Sequence, residues 1–328
     1  MKRLLISLFC ASLGATVGIN SANAHEFSTL IKNRKYQEVE KATTSKLATD
    51  PKNADALIAK VESIIYQNQT ARIEEALQYA EQCVAAHPNR SECHEMLGNV
   101  YGIKIQSAGT FAMISLAGKI KSSFLKAVEL DTKNYGARSS LNQFYLFAPG
   151  IAGGGLDKAQ ALVAETSKLN ADAAALLQAR IELKEDRASK AESLVLAANT
   201  AGIDDLEFIQ QSTLVTLGSV YRDQKKWGDS ERVLKEVIKR YPLNPSGLGM
   251  LGRTYAAQER HADAIAVLDK AIAIEARPYF IYRLALSHQA LGDKPKAIDL
   301  FEKALTQKAG LDKKQREDAE QQLKTLKA

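Results

Sequence analysis

The chain has 328 residues, of which 45% are hydrophobic and 6% aromatic. This apolar fraction is typical of a folded protein and excludes bulk disorder. The formal net charge of +6 is spread along the chain without a run of five like charges, which excludes nucleic acid as a partner. Three cysteines are too few for a scaffold built on disulfide bonds.

The first segment, Met1–Ala24, has the order of residues of a secretory signal peptide. Lys2 and Arg3 precede an apolar stretch, and Ala22-Asn23-Ala24 has the small-x-small form of a cleavage site. The apolar stretch is shorter than the ~20 residues that a membrane-spanning helix needs. We therefore expect cleavage after Ala24 and a periplasmic protein, whose net charge falls from +6 to +4 with the loss of the two basic residues. An uncleaved membrane anchor is the alternative.

A short pattern of the form Leu-Gly-x-x-Tyr recurs along the chain at a spacing of about 34 residues. Clear copies begin at Leu97, Leu217 and Leu251, and weaker copies begin at Leu141 and Leu284. Each copy precedes a second pattern, in which a small residue is followed by apolar residues three and four positions apart, as in Ser230/Leu234/Val237/Ile238 and Ala264/Leu268/Ala271/Ile272. Such spacings place the apolar residues on one face of a helix. The repeat therefore predicts a hairpin of two helices, with small residues where the helices approach closely.

This pair of patterns resembles the tetratricopeptide repeat family. The resemblance covers nearly all of His25–Gly310 and implies an all-α solenoid, a right-handed superhelix of about eight hairpins stacked on one another. The first hairpin departs most from the pattern, and insertions are expected near residues 103–118 and 146–156. Leu311–Ala328 is expected to form a capping helix.

The family resemblance also implies a function without catalysis. Members of the family hold a polypeptide in a concave groove that their first helices line, so we expect a scaffold or assembly factor of the cell envelope with a protein or peptide as its ligand. The residues that match groove positions include Asn99, Arg222, Met250, Arg253, Tyr282 and Arg283. Each of these residues is equally compatible with a solvated helix face.

Three of these groove positions are arginines in consecutive hairpins, namely Arg222, Arg253 and Arg283. A guanidinium group binds a carboxylate through two parallel hydrogen bonds. We therefore expect the bound segment to be acidic. The alternative is that each arginine pairs with an acidic residue of its own repeat, such as Asp223.

Cys83 and Cys93 lie at equal distances on either side of Pro88, which separates two predicted helices. This spacing places the two side chains opposite each other on adjacent antiparallel helices, and an exported protein is exposed to oxidising conditions. We expect a disulfide bond. Two buried thiols are the alternative.

Two further segments carry alternative functions. The glycine-rich segment Gly150–Gly155, with Lys158 nearby, could bind a small anionic ligand as part of an enzyme, although no nucleotide-binding motif accompanies it. The apolar insertion 103–118 could contact a membrane or a protein partner. Since no pair of histidines or cysteines has the spacing of metal ligands, no metal or cofactor is expected.

Overall fold

The computed structural model describes residues 25–67, 69–107, 109–306 and 310–328. The predicted signal peptide, Met1–Ala24, lies outside these residues. Within them the structure contains seventeen α-helices and no β-strand, so the predicted all-α fold class is confirmed. The helices form two compact units, which divide at Thr213 and Leu214; we call them the N-terminal and the C-terminal unit.

The helices alternate along the chain between first and second members of successive antiparallel pairs. Their bounds are α1 Ser28–Lys32, α2 Tyr36–Thr49, α3 Ala54–Tyr66, α4 Ile73–Ala86, α5 Ser91–Lys104, α6 Thr110–Leu130, α7 Tyr135–Phe147, α8 Leu156–Ser167, α9 Ala171–Lys184, α10 Ala188–Ala197, α11 Asp204–Asp223, α12 Trp227–Arg240, α13 Pro245–Ala257, α14 His261–Ile274, α15 Pro278–Ala290, α16 Lys294–Thr306 and α17 Lys313–Lys327. The last helix follows the final pair.

The small residues of the repeat lie where the two helices of a pair are in closest contact. A Cβ atom at Gly218 of α11 would lie 2.6 Å from the side chain of Leu234 of α12, and one at Gly252 would lie 2.7 Å from Leu268. From the second helix of the same pair, the fully buried Ser230 donates a hydrogen bond of 2.7 Å to the carbonyl oxygen of Gly218. Any side chain at these glycines would therefore force the helices apart.

Most turns between the paired helices share one backbone conformation. Arg34, Asp186, Lys225 and Glu259 each adopt a positive φ of 57–60° just before the second helix begins, and Gly292 has a φ of 81° at the same place in the last pair. Side chains are disfavoured in this left-handed region, whereas glycine adopts it freely. Because Arg34 follows the pattern, the first and least regular pair makes the same turn as the others.

The insertion near 103–118 lengthens only one helix. Helix α6 has 21 residues, compared with 14 residues in α12 and in α14. The preceding helix, α5, has 14 residues and ends at Lys104 in a short 3₁₀ turn, Ile105–Ser107. The first turns of α6 therefore extend beyond the helix against which the rest of α6 packs.

Cys83 and Cys93 form a disulfide bond in the structure. Their Cα atoms are 5.4 Å apart, which is the usual separation for bonded cysteines. The bond links the end of α4 to the start of α5, and both cysteines are buried in the same apolar cluster as Leu57 and Ile64.

Helix α17 caps the last pair through polar and apolar contacts. Asp312 accepts a hydrogen bond from the backbone of Gln315, whose side chain accepts one from the backbone of Asp312; this reciprocal arrangement fixes the start of the helix. One face of α17 packs onto α15 and α16 through the fully buried Ala319 and through Leu323. The remaining faces of the helix carry charged and polar residues.

Candidate partner-binding face

The predicted groove arginines of the C-terminal unit lie on its three successive first helices. Arg222 is the second-to-last residue of α11, Arg253 lies in the second half of α13, and Arg283 lies in the first half of α15. The same helices pack against their second helices through Gly218 and Gly252. The three guanidinium groups are close enough for the charges of Arg222 and Arg283 to act on Arg253. We call this surface, with Tyr279, the arginine face.

Arg222 is satisfied within its own unit. Its guanidinium contacts the carboxylate of Asp223 at 2.7 Å and the hydroxyl oxygen of Ser219 at 2.8 Å. Its other terminal nitrogen lies 2.7 Å from the sulfur of Met250, and only 8% of the residue is exposed. Arg222 therefore pairs with an acidic residue of its own repeat, which is the alternative to the predicted contact with a bound segment.

Arg253 differs from Arg222 because it has no hydrogen-bond or ion-pair partner among the residues that the structure describes. The residue is half-buried. Burial lowers the pKa of its guanidinium, and the positive charges of Arg222 and Arg283 lower the pKa further, whereas Tyr279 acts in the opposite direction. The Asp223 carboxylate also raises the pKa of Arg253, but it forms its ion pair with Arg222.

Arg283 is held by aromatic rings rather than by a carboxylate. Its guanidinium carbon lies 5.2 Å from the centre of the Tyr279 ring and 5.3 Å from that of Tyr282, which is within the range of cation–π attraction. Its Nε is buried and has no acceptor in the described part of the chain. Stacking fixes the plane of the guanidinium and leaves its hydrogen-bonding capacity free.

Tyr282 and Met250, predicted as apolar groove contacts, are already engaged. The hydroxyl of Tyr282 donates a hydrogen bond of 2.6 Å to Asp318 of α17, and only 5% of the residue is exposed. Burial and the Asp318 carboxylate both raise the pKa of Tyr282. Helix α17 thus covers this end of the face, Met250 contacts Arg222, and Tyr279 is the aromatic residue that remains half-buried.

Asn99, the predicted groove residue of the N-terminal unit, does not lie on an open surface. It is 9% exposed, and its neighbours at matching positions, Glu95 and Met96, are each 2% exposed. The side-chain oxygen of Asn99 accepts a hydrogen bond of 3.3 Å from Ser140 of α7. The inner side of this unit is therefore filled by its own polar side chains.

Two buried carboxyl groups meet the same backbone segment inside the N-terminal unit. Asp205 of α11 accepts a hydrogen bond of 2.9 Å from the backbone N–H of Gly136, and a Cβ atom at Gly136 would lie 2.6 Å from Glu95. Burial raises the pKa of Glu95 well above its ordinary value, and the charge of Asp205 raises it further. Burial raises the pKa of Asp205 to about 7. Asp205 is the second residue of α11, and no local pattern in the sequence indicates this pair.

The glycine-rich segment forms a closed turn. The backbone N–H groups of four consecutive residues, Ala152 to Gly155, donate to the carbonyl oxygens of Pro149, Gly150 and Tyr145. Lys158 donates hydrogen bonds of 3.1 and 3.3 Å to the carbonyl oxygens of Gly153 and Gly154. These amides are therefore used within the turn, and the anion cradle considered for this segment is not formed by them.

Within the described residues, no group of His, Cys, Asp and Glu side chains is arranged to hold a metal ion. No helix in the same residues combines the length and the apolar character that crossing a membrane requires.

The fold and the arginine face define a helical-hairpin repeat protein with a cationic surface on its first helices. Two family models, both described as tetratricopeptide repeat, match residues 215–279 and 279–307. Residues 215–307 are therefore tetratricopeptide repeats, and this part of the predicted resemblance is confirmed.

Two solved structures are similar over most of the chain. One, from the APC/C hetero-tetramer Cut9-Hcn1, is 16% identical with a TM-score of 0.45; the match covers 91% of this chain but only 54% of that one. The other, a tetratricopeptide repeat protein from Parabacteroides merdae, is 14% identical with a TM-score of 0.41, and the match covers 84% of this chain and 99% of that one. No curated protein matches the sequence.

Proposed function

We propose that this protein is a periplasmic, non-enzymatic scaffold or assembly factor that binds an acidic polypeptide segment on its arginine face. Tetratricopeptide repeats, which the chain carries in its C-terminal unit, support a role in protein–protein interaction. The observation that carries the proposal is that Arg253 and Arg283 are half-buried and have no carboxylate partner among the described residues. A carboxylate from a bound chain supplies the missing charge.

The geometry favours a peptide side chain or terminus over a diffuse ionic attraction. Arg283 is stacked on Tyr279 and Tyr282, so less rotational freedom is lost when it binds a ligand. A carboxylate between Arg253 and Arg283 accepts charge-assisted hydrogen bonds, and the Tyr279 ring next to them supplies apolar contact area. Exposed ion pairs alone contribute little to affinity. The proposed affinity for a peptide carboxylate therefore depends on the half-buried position of both arginines.

A direct binding measurement tests the peptide specificity. The mature protein is titrated into a fluorescein-labelled Glu-rich peptide, and into a Lys-rich peptide of the same length, while anisotropy is recorded. We expect binding of the acidic peptide alone. We expect Arg253→Glu and Arg283→Glu each to weaken it by about tenfold or more, since a charge-assisted hydrogen bond contributes about 1.5–3 kcal/mol.

The matched control is Arg232→Glu on the second helix α12. Arg232 is exposed and pairs with Asp229 of its own helix, so the substitution makes the same change of charge away from the arginine face. Equal weakening by Arg232→Glu would show that net charge, rather than the face, causes binding. If Arg253→Glu and Arg283→Glu bind the acidic peptide as tightly as the wild type, the proposed site is wrong.

The envelope location rests on the order of residues in Met1–Ala24 and on the disulfide between Cys83 and Cys93, since disulfides persist in oxidising compartments. Osmotic-shock fractionation and intact-mass measurement test this location. We expect a periplasmic form that begins at His25. A cytoplasmic form that retains Met1–Ala24 would contradict the proposal.

The natural partner is sought by crosslinking in the envelope fraction, followed by affinity capture of the wild type, Arg253→Glu and Arg232→Glu proteins. We expect a set of crosslinked polypeptides that Arg253→Glu loses and Arg232→Glu retains. If wild type and Arg253→Glu proteins give the same set, no partner binds through the arginine face.

A further inference from the structure

Large exposed apolar side chains are concentrated in one part of the N-terminal unit. Of the eight such residues in the described part of the chain, five lie on α6, on the turn that leads into α8 or at the start of α8, namely Met113, Ile114, Leu125, Ile151 and Leu156. Ile114 is 58% exposed and Ile151 is 89% exposed. Exposed apolar residues grouped in this way mark an interaction surface, whereas single ones do not.

The helix and the turn contribute to one continuous surface. Ile114, Lys121 and Leu125 are spaced by seven and four residues and so lie on one face of α6. The ammonium nitrogen of Lys121 lies 2.9 Å from the position that a Cβ atom at Gly153 would take, and α6 contacts the short helical turn Gly150–Ala152. The face of α6 that carries Ile114 therefore borders the turn that carries Ile151.

The turn is built so that Ile151 stays exposed. A Cβ atom at Gly154 would lie 1.8 Å from the carbonyl oxygen of Ala148, and Gly153 has a φ of 93°, so both positions require glycine. The hydrogen bonds within the turn, such as that from Gly155 to Tyr145, hold its shape. Ile151 is thus presented to the surroundings by a fixed backbone rather than by a loose loop.

Lys121 lies on the same face of α6 as Ile114, and acidic residues are absent from the two segments that contribute to the surface. Residues 105–128 contain three lysines, Lys119, Lys121 and Lys126, and no Asp or Glu; residues 148–156 contain no acidic residue either. The ammonium group of Lys119 lies over the ring of Tyr101 on α5. At the borders, Glu129 pairs with Lys126, and Asp157 is exposed next to Lys158. The combined surface has net positive charge around protruding apolar tips.

We propose that this surface binds the face of a lipid bilayer that contains anionic headgroups, with Ile114 and Ile151 inserted among the lipids. Protruding apolar side chains flanked by lysines fit the boundary between headgroups and acyl chains, and anionic lipids supply the complementary charge. The binding is peripheral, because no described helix has the length and apolar character to cross the membrane. It places the repeats next to the membrane and does not depend on the arginine face.

Vesicle co-sedimentation of the mature protein tests the proposal. One set of vesicles is pure phosphatidylcholine, and the other contains phosphatidylglycerol in addition. We expect binding to the anionic vesicles only, reversible by salt because screening weakens headgroup attraction. Since each lysine near an anionic surface contributes about fivefold in affinity, Lys121→Gln is expected to weaken binding by roughly fivefold.

The apolar contribution is tested with Ile114→Glu combined with Ile151→Glu. We expect this variant to lose binding by at least tenfold more than a matched control, Leu243→Glu combined with Leu291→Glu. Both leucines are 55% exposed and lie in the C-terminal unit, so the control makes the same change of charge at exposed apolar sites elsewhere. Circular dichroism establishes that both variants fold.

Four results would overturn the proposal. They are no binding of the wild type to anionic vesicles, equal binding to neutral vesicles, full binding by the Ile114/Ile151 variant, and equal loss in the Leu243/Leu291 variant. Capture of a protein through Ile114 and Ile151 without vesicle binding would assign the surface to a protein partner and likewise refute the lipid assignment.

Discussion

The buried carboxyl pair of the N-terminal unit makes its stability depend on pH, and Asp205→Asn tests this dependence. In the structure Asp205 is 1% exposed, and burial raises its pKa from 3.8 to about 7. In the unfolded chain the same carboxyl ionises near its ordinary pKa. Because the pKa of Asp205 is higher in the folded chain than in the unfolded chain, the protonated carboxyl favours folding. Its contribution to the unfolding free energy is fully present below about pH 4 and is lost as the pH rises through about 7.

The size of the effect follows from the shift in pKa. A rise in pKa from 3.8 to about 7 lowers the unfolding free energy by about 4 kcal/mol between acidic pH and pH values above 7. About 3 kcal/mol of this loss falls between pH 5 and pH 8. Asparagine has the same shape and does not ionise. Its side-chain oxygen accepts the hydrogen bond from Gly136, and its amide can donate to Glu95, one of whose oxygens is buried without a partner in the described structure.

We therefore expect Asp205→Asn to reduce the decrease in stability between pH 5 and pH 8 by about 3 kcal/mol. Urea unfolding followed by far-ultraviolet circular dichroism at both pH values measures it. The single tryptophan, Trp227, lies in the C-terminal unit, and its fluorescence midpoint is recorded in the same titrations. Glu207→Gln, a half-buried residue on the same helix, is the matched control. An Asp205→Asn protein with the pH dependence of the wild type would refute this account of the pair.

Three further predictions concern stability. We expect Gly218→Val to destabilise the C-terminal unit by about 1–3 kcal/mol, whereas Gly228→Ala, where a Cβ atom meets open space, changes stability little. The urea midpoint of tryptophan fluorescence compares the two variants, and equal effects would contradict the close helix contact. We expect Cys83 and Cys93 to resist alkylation in denatured, unreduced mature protein, and labelling of both thiols without reductant would disprove the bond. Replacing both cysteines by serine is expected to lower the unfolding free energy by at most about 3 kcal/mol, because the loop that the bond closes is short. Tyr282→Phe removes the hydrogen bond to Asp318 of helix α17, and we expect it to lower the stability of the docked helix by about 1.5–3 kcal/mol. Hydrogen exchange in residues 313–327 should become faster, and unchanged exchange there would show that this bond does not hold the helix.

The sequence by itself determined the repeated helical pairs of the C-terminal unit. The spacing of Leu217 and Leu251, and the small residues at Gly218, Ser230 and Gly252, were sufficient for this prediction. A helical face is defined by residues three and four positions apart, and a close helix contact requires a small side chain at a fixed offset. Both are local properties, so a single sequence carries them. The placement of Cys83 next to Cys93 was predictable in the same way, because a short turn separates the two helix ends.

The tertiary structure decided which side chains are available. Arg222 and Arg253 have the same chemistry and similar places in the pattern, but Asp223 forms an ion pair with Arg222 and acts on Arg253 only from a distance. Asn99 matched a groove position and is buried, and Glu95 meets Asp205 from a distant helix near Gly136. Charge pairing and burial depend on groups that are far apart in the sequence and are brought together only by packing. A repeat pattern specifies where a side chain starts on its own helix, and the neighbouring helices determine whether it remains free to bind a partner.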